Sequence, residues 1–176
     1  MNDKLIGIDS QCVSFLIDAM QNVHVPNDSL AEEKIALFRT YLYTPGTLYV
    51  TPTVTEECAA IRNIALKELH ESYIMVLIGE SQIRDSRNVE SRVKDLERYH
   101  SGKNDCRILA EAEDAKFYAL LSYDNNLLNR LKAVLSSVRL YRPTEYWSQL
   151  NISHGAKPDK VPHRNNPLAK QSWWKW

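Results

Sequence analysis

Leu5-Ile6-Gly7-Ile8 is a short apolar run closed by Asp9-Ser10, the pattern of a buried strand feeding a helix cap. Val13, Leu16, Ile17 and Met20 then recur at helical spacing and predict a first helix over roughly 10–21. Asn22 to Ser29, with Pro26, breaks it. Ala31, Ile35, Phe38 and Leu42 mark a second helix, closed by Pro45-Gly46. Leu48-Tyr49-Val50 reads as a second strand, and Thr51-Pro52 supplies a cap and a first-turn proline. Val54, Cys58, Ile61, Ala65 and Leu69 line one face of a single long third helix. Ile74 to Ile78 suits a strand, a loop or a helix end equally.

Further along, Val89, Val93 and Leu96 give a charged stretch its helical spacing, and Ser101-Gly102-Lys103-Asn104 turns the chain toward Asp105. The helix beginning there carries Ile108, Leu109, Ala112 and Ala115. Phe117 to Ser122 reads as a strand, Asp124 opens a helix with Leu127, Leu128 and Leu131, and Val138 to Tyr141 is a last strand. Pro143 opens a short helix that ends near Leu150. Strands alternating with helices predict an α/β fold with a mainly parallel central sheet flanked by helices on both faces. From Asn151 onward the hydrophobic period disappears, so the chain divides into a domain over 1–150 and a tail over 151–176.

Composition narrows the chemistry. The 176 residues suit one domain with an ordinary core. Five glycines, at 7, 46, 79, 102 and 155, lie too far apart for a phosphate-cradling or dinucleotide-binding loop. Lys+Arg and Asp+Glu each total 22, so no bulk positive charge holds a nucleic acid. That balance hides an asymmetry: residues 151–176 hold five Lys/Arg against one acid, and residues 1–150 hold 17 against 21. Cys12, Cys58 and Cys106 form no disulfide framework or C-x-x-C pair and read as small buried hydrophobes. The N-terminus lacks a secretory pattern and the longest apolar run, Tyr73 to Gly79, is too short to span a bilayer, so a cytoplasmic protein without a membrane span is expected.

Four carboxylates share one setting. Asp9 follows the first strand, Glu57 lies in the first turns after the second, Asp105 starts a helix, and Asp124 follows the strand over 117–122. Ligand sites of open α/β sheets form at the carboxyl ends of strands, which is where Asp9, Glu57 and Asp124 fall, and Asp105 joins them if its helix begins at the same edge. Two unit charges ~4 Å apart repel by about 4 kcal/mol at an effective dielectric of 20, and a hard cation reverses that sign. Mg²⁺ or Mn²⁺ held by such a set can deprotonate a water and stabilise charge on an attacked phosphoryl group. As plain N-caps, Asp9, Asp105 and Asp124 would instead each add roughly 0.5–2 kcal/mol to a helix.

The four segments, in this order, resemble a PIN-domain nuclease. Leu5-Ile6-Gly7-Ile8-Asp9-Ser10 is similar to that family's opening strand and first aspartate, and Pro52-Thr53-Val54-Thr55-Glu56-Glu57 to its glutamate segment. Asn104-Asp105 through Ala112 resembles its central aspartate helix, and Leu120-Leu121-Ser122-Tyr123-Asp124 its closing element, with Ser122 in place of threonine. Asn125 and Asn126 stand where some relatives carry a further acid.

The resemblance implies a three-layer PIN-like fold and a Mg²⁺- or Mn²⁺-dependent endoribonuclease, similar to VapC-type toxins or stand-alone relatives. It implies Asp9, Asp105 and Asp124 as metal ligands, Glu57 (or its neighbour Glu56) as ligand or water orienter, and Ser10 and Ser122 as supports of the carboxylates. RNA would be the substrate, with an antitoxin protein and a homodimer as the implied assemblies. A PIN-like module that binds RNA or a protein without cutting is the alternative, and the intact set of four acids favours catalysis.

Lys103 and Arg107 flank Asp105 and are the expected substrate contacts. The stretch from Arg84 to Arg107 otherwise reads as a solvated helix with internal ion pairs. Most of the histidines, at 24, 70, 100, 154 and 163, are expected at the surface. The tail's cations and Trp173, Trp174 and Trp176 suit single-stranded RNA, packing on the body or a second subunit, or an unstructured segment.

Overall fold

The computed structural model describes residues 4–21 and 24–176. Five short strands, β1 (Ile6–Ile8), β2 (Leu48–Val50), β3 (Ile78–Glu80), β4 (Ala119–Leu121) and β5 (Arg139–Tyr141), form one sheet in the order β3-β2-β1-β4-β5. Every pairing is parallel, with Ile6 opposite Leu48 on one side and Ala119 on the other. The helices are α1 (Ser10–Gln21), α2 (Ala31–Tyr43), α3 (Pro52–Ala59), α4 (Ile64–Leu77), α5 (Ser86–Leu96), α6 (Lys103–Asp114), α7 (Asn125–Leu131) and α8 (Pro143–Gln149). The chain steps from β1 outward to β3, then returns past β1 to β4 and β5. Right-handed crossovers therefore place α1–α4 and α5–α7 on opposite faces, the predicted three-layer α/β arrangement. All three residues of β1 and of β4 are buried, as the central strands of a covered sheet must be.

The single long helix predicted after β2 is two helices. Ala60 to Asn63 interrupts it, and the Asn63 side chain accepts the Leu66 N–H at 3.0 Å to start α4. Periodicity missed the break because Cys58, Ile61 and Leu69 keep their phase across it, whereas Ala65 is exposed. Residues 74–77 are the end of α4, and the strand begins at Ile78. Of the break expected over Asn22–Ser29, Asn22 and Val23 lie outside the described residues.

Long-range carboxylates help to start two helices, α3 without a local side-chain cap and α8 beside its own Glu145, which accepts the Arg142 N–H at 3.1 Å. Thr51 makes no side-chain cap on α3. Instead the buried Glu111 of α6 accepts the Thr53 N–H at 3.0 Å and the Thr53 hydroxyl at 2.8 Å. Glu33 of α2 likewise accepts the N–H and hydroxyl of Thr144 at 3.0 Å, docking α8. Part of the acid excess of residues 1–150 is thus spent on helix N-termini.

Residues 151–176 lie on the body. Lys160 Nζ donates to the carbonyls of Tyr41, Thr44 and Gly46 at 2.6–3.0 Å, closing the C-terminal end of α2. Arg39 holds the carbonyls of Trp173, Trp174 and Lys175. Trp174 is buried and its indole N–H donates to Leu168 at 2.9 Å, while Trp176 packs edge-on against Trp147. These indole rings serve packing on the protein's own surface.

Candidate active site

The direction of the chain through the sheet reverses at β1 and β4, and the carboxyl ends of those neighbours form the switch point where α/β sheets bind ligands. Asp9 leaves β1 there. Its N–H donates to the Leu121 carbonyl at 3.2 Å, and its Oδ1 accepts the Cys12 N–H at 2.7 Å, capping α1. The side chain is 5% exposed. Burial pushes its carboxyl up to about 6, opposed by hydrogen bonds from Ser122 and Cys12 and reinforced by the charge of Asp105. The charge of Asp105 thus reaches Asp9, which puts the two carboxylates within electrostatic range of each other.

Ser122 joins β4 to this pair. Its side chain is fully buried, hydrogen-bonds Asp9, and accepts the Asp124 N–H at 3.0 Å. Asp124 Oδ1 caps α7 through the N–H groups of Asn126 and Leu127, and its second oxygen has no partner among the described residues. Ser10 begins α1, where its carbonyl accepts the Ser14 hydroxyl at 3.2 Å. Asp105 sits in the first turn of α6, two residues inside its start rather than at it.

Glu57 and Glu56 separate by the helical rotation of about 100° between neighbours. Glu57 is half-buried and accepts the Asn104 side-chain N–H at 2.7 Å, beside Asp105, while Glu56 points to solvent. Lys103 is exposed at the start of α6. Arg107 pairs with Glu90 of α5 at 2.8 Å, an interhelical bridge invisible to i,i+4 reasoning.

Two contacts at the site were missed in the sequence. His100 is buried, and its Nε2 donates to Asp105 Oδ2 at 2.6 Å. Gly102 makes this possible, because a Cβ there would collide with both the Asp105 carboxylate and the His100 ring. The second is Asn104, which holds Glu57. The only available signal was the His-x-x-x-x-Asp spacing across a Ser-Gly turn. His70 is buried as well; its Nδ1–H meets the Leu66 carbonyl at 2.7 Å and its Nε2 lies 2.8 Å from the Ser14 hydroxyl. His24, His154 and His163 are exposed, as expected of most.

All three cysteines are buried thiols. Burial pushes Cys58 and Cys106 up to about 11 and Cys12 well above its usual value, so each keeps its proton and packs beneath the site. Among the described residues no three His, Cys, Asp or Glu side chains converge into a complete ligand cluster. The donor chemistry nevertheless fits Mg²⁺ or Mn²⁺, which take oxygen ligands, are commonly bound through one or two carboxylates, and retain waters. Asp9 and Asp105 are donors of that kind.

No family model matches the chain. No curated protein matches it. Among solved structures it is similar to FitAcB from Neisseria gonorrhoeae, at 13% sequence identity and a TM-score of 0.48, over 79% of this chain and 98% of that chain. A likeness of that depth decides neither family nor activity. No helix among the described residues is long and apolar enough to cross a membrane.

Proposed function

We propose that this protein is a PIN-like, metal-dependent endoribonuclease acting at the β1/β4 edge of its sheet. The observation that carries this reading is the buried Asp9 carboxylate at the switch point, within electrostatic range of Asp105 and joined through the Ser122 hydroxyl to the backbone N–H of Asp124. A desolvated carboxylate beside a second acid costs stability and is a mark of functional sites. The four sequence segments that resemble PIN nucleases deliver these same acids.

Asp9 and Asp105 would hold Mg²⁺ or Mn²⁺, with the second oxygen of Asp124 as a further ligand. The ion would activate water and neutralise charge on the phosphoryl group. Ser122 fixes the orientation of Asp9, and His100 that of Asp105. Glu57, steadied by Asn104, would orient the attacking water and take its proton. Lys103 would meet the RNA backbone. A toxin role, with an antitoxin partner, rests on the resemblance alone and predicts growth arrest on expression.

The test is cleavage of mixed RNA with Mg²⁺ or Mn²⁺, with EDTA and Asp105→Asn as controls. The account expects cleavage that both controls abolish. Full activity in Asp105→Asn would overturn the assignment, and RNA binding without any cleavage would leave the non-catalytic module.

A further inference from the structure

Glycine stands twice in register with Tyr49, as Gly7 on β1 and as Gly79 on β3. Partners in register on parallel strands point to the same face, so that face is bare on either side of the tyrosine. Two aromatic rings take up the space. A Cβ on Gly79 would strike the Tyr49 ring, and one on Gly7 would strike the Phe117 ring. The two rings lie 6.2 Å apart between centroids.

The chain leaving β3 is pinned to the end of α6, where the Asp114 carboxylate accepts the N–H groups of Arg84 and Asp85. Between this segment and the rings lies a cleft of about 450 Å³, lined by Leu5, Tyr49, Ser81, Ile83, Arg84 and Phe117. That volume is within the ~300–1,000 Å³ usual for ligand clefts. Its lining combines apolar and polar groups. Tyr49, Phe117 and Leu5 supply aromatic and apolar wall, and Ile83 keeps 38% of its surface open beside them.

Two polar groups of the lining are unmatched by the protein. The Ser81 hydroxyl is buried without a hydrogen-bond partner among the described residues. Buried polar groups are seldom left so. Arg84 is exposed, and its guanidinium has no carboxylate partner among the described residues, although Asp114 fixes its main chain. An aliphatic ligand would leave this cation unused, and an inorganic anion would leave the rings unused. A planar ring carrying an anionic group uses both, since aromatic pairs attract beyond their area and the guanidinium fork fits carboxylate or phosphate.

We propose that this cleft is a small-molecule site for a planar aromatic anion, with its ring against Tyr49 and Phe117 and its anionic group on Arg84. None of the lining residues belongs to the acidic site, so the proposal stands apart from the nuclease reading.

Calorimetric titration of naphthoate into the full chain tests this, in EDTA so that no divalent cation holds the carboxylate elsewhere. The parent protein is expected to bind saturably. Arg84→Gln, an exposed change that leaves the core intact, is expected to weaken binding at least about tenfold, the loss of a charge-assisted contact. The neutral naphthamide is expected to bind the parent protein correspondingly less tightly. Tyr49→Leu keeps apolar bulk and removes the ring, for a loss of about 2–12-fold. Arg87→Gln, the same charge change on the exposed side of α5, is expected to match the parent protein. Adenosine monophosphate carries the ring and the anion on a nucleotide, and its displacement of naphthoate, or failure to displace it, tells a phosphate ligand from a carboxylate one.

No saturable naphthoate binding by the parent protein would overturn the proposal. So would parent-like affinity in Arg84→Gln, or an equal loss in Arg87→Gln, which would mark attraction to surface charge alone. Naphthamide binding as tightly as naphthoate would remove the anion from the ligand. Cleavage of RNA, present or absent, enters none of these outcomes.

Discussion

Replacing Asp9 by asparagine keeps an oxygen for the Cys12 N–H and removes a charge from a site that is 5% exposed. In the folded protein burial raises this carboxyl from an ordinary 3.8 to about 6, partly offset by Ser122 and Cys12 and reinforced by Asp105. Below pH ~4 the group is protonated in both states and costs nothing. As pH rises from about 4 to about 6 the unfolded chain releases the proton first, so stability falls by about 1.4 kcal/mol per pH unit. Above pH ~6 the full cost, on the order of 3 kcal/mol, is in place.

Asp9→Asn should therefore be more stable than the parent protein at pH 7 by about 1–3 kcal/mol, the lower end allowing for weakened hydrogen bonds. At ~2–4 °C per kcal/mol this is several degrees in Tm. Urea unfolding followed by tryptophan fluorescence, in EDTA at pH 4 and pH 7, measures it. The variant should lose most of its advantage at pH 4. An Asp9→Asn protein less stable than the parent at pH 7, or a parent with no loss between pH 4 and 6, would refute the claim that Asp9 is a desolvated charge.

Gly102→Ala should drive the His100 ring and the Asp105 carboxylate apart, at a cost of about 1–3 kcal/mol on urea unfolding, and lower Mn²⁺ affinity. Glu111→Ala leaves the Thr53 N–H and hydroxyl without their partner at the buried start of α3, so urea unfolding should show a loss of about 1–3 kcal/mol. Trp174→Ala should cost about 3–5 kcal/mol by the same measurement, because its ring and indole N–H are both committed to the body. A Trp174 ring held for RNA would instead leave stability unchanged.

How much of this was legible in the chain depended on whether the signal was local. Leu5–Ile8 with Asp9-Ser10, and Ser122 with Asp124, each placed an acid at a strand end because the strand, the cap and the helix lie within a few residues. The hydrogen bond that distinguishes Glu57 from Glu56 comes from α6, since Asn104 lies 47 residues away. Glu111 carries no local signal of its role, and only the packing of α6 on α3 makes it a cap. Arg107 and Glu90 are 17 residues apart on two helices, so their pairing had no sequence period to reveal it. The tail's aromatic and basic composition fits stacking on bases and packing on a protein equally well; Arg39 and Lys160, partners in the body and the tail, decide for packing.

The central claim is that the switch-point carboxylates bind a divalent cation. Calorimetric titration of Mn²⁺ into the parent protein, Asp9→Asn and Asp105→Asn tests it without reference to any substrate. The account predicts saturable binding by the parent protein that either substitution abolishes or weakens at least about tenfold, the loss of one charged ligand being worth 1.4 kcal/mol or more. Binding that survives both substitutions unchanged, or no binding by the parent protein, would contradict it.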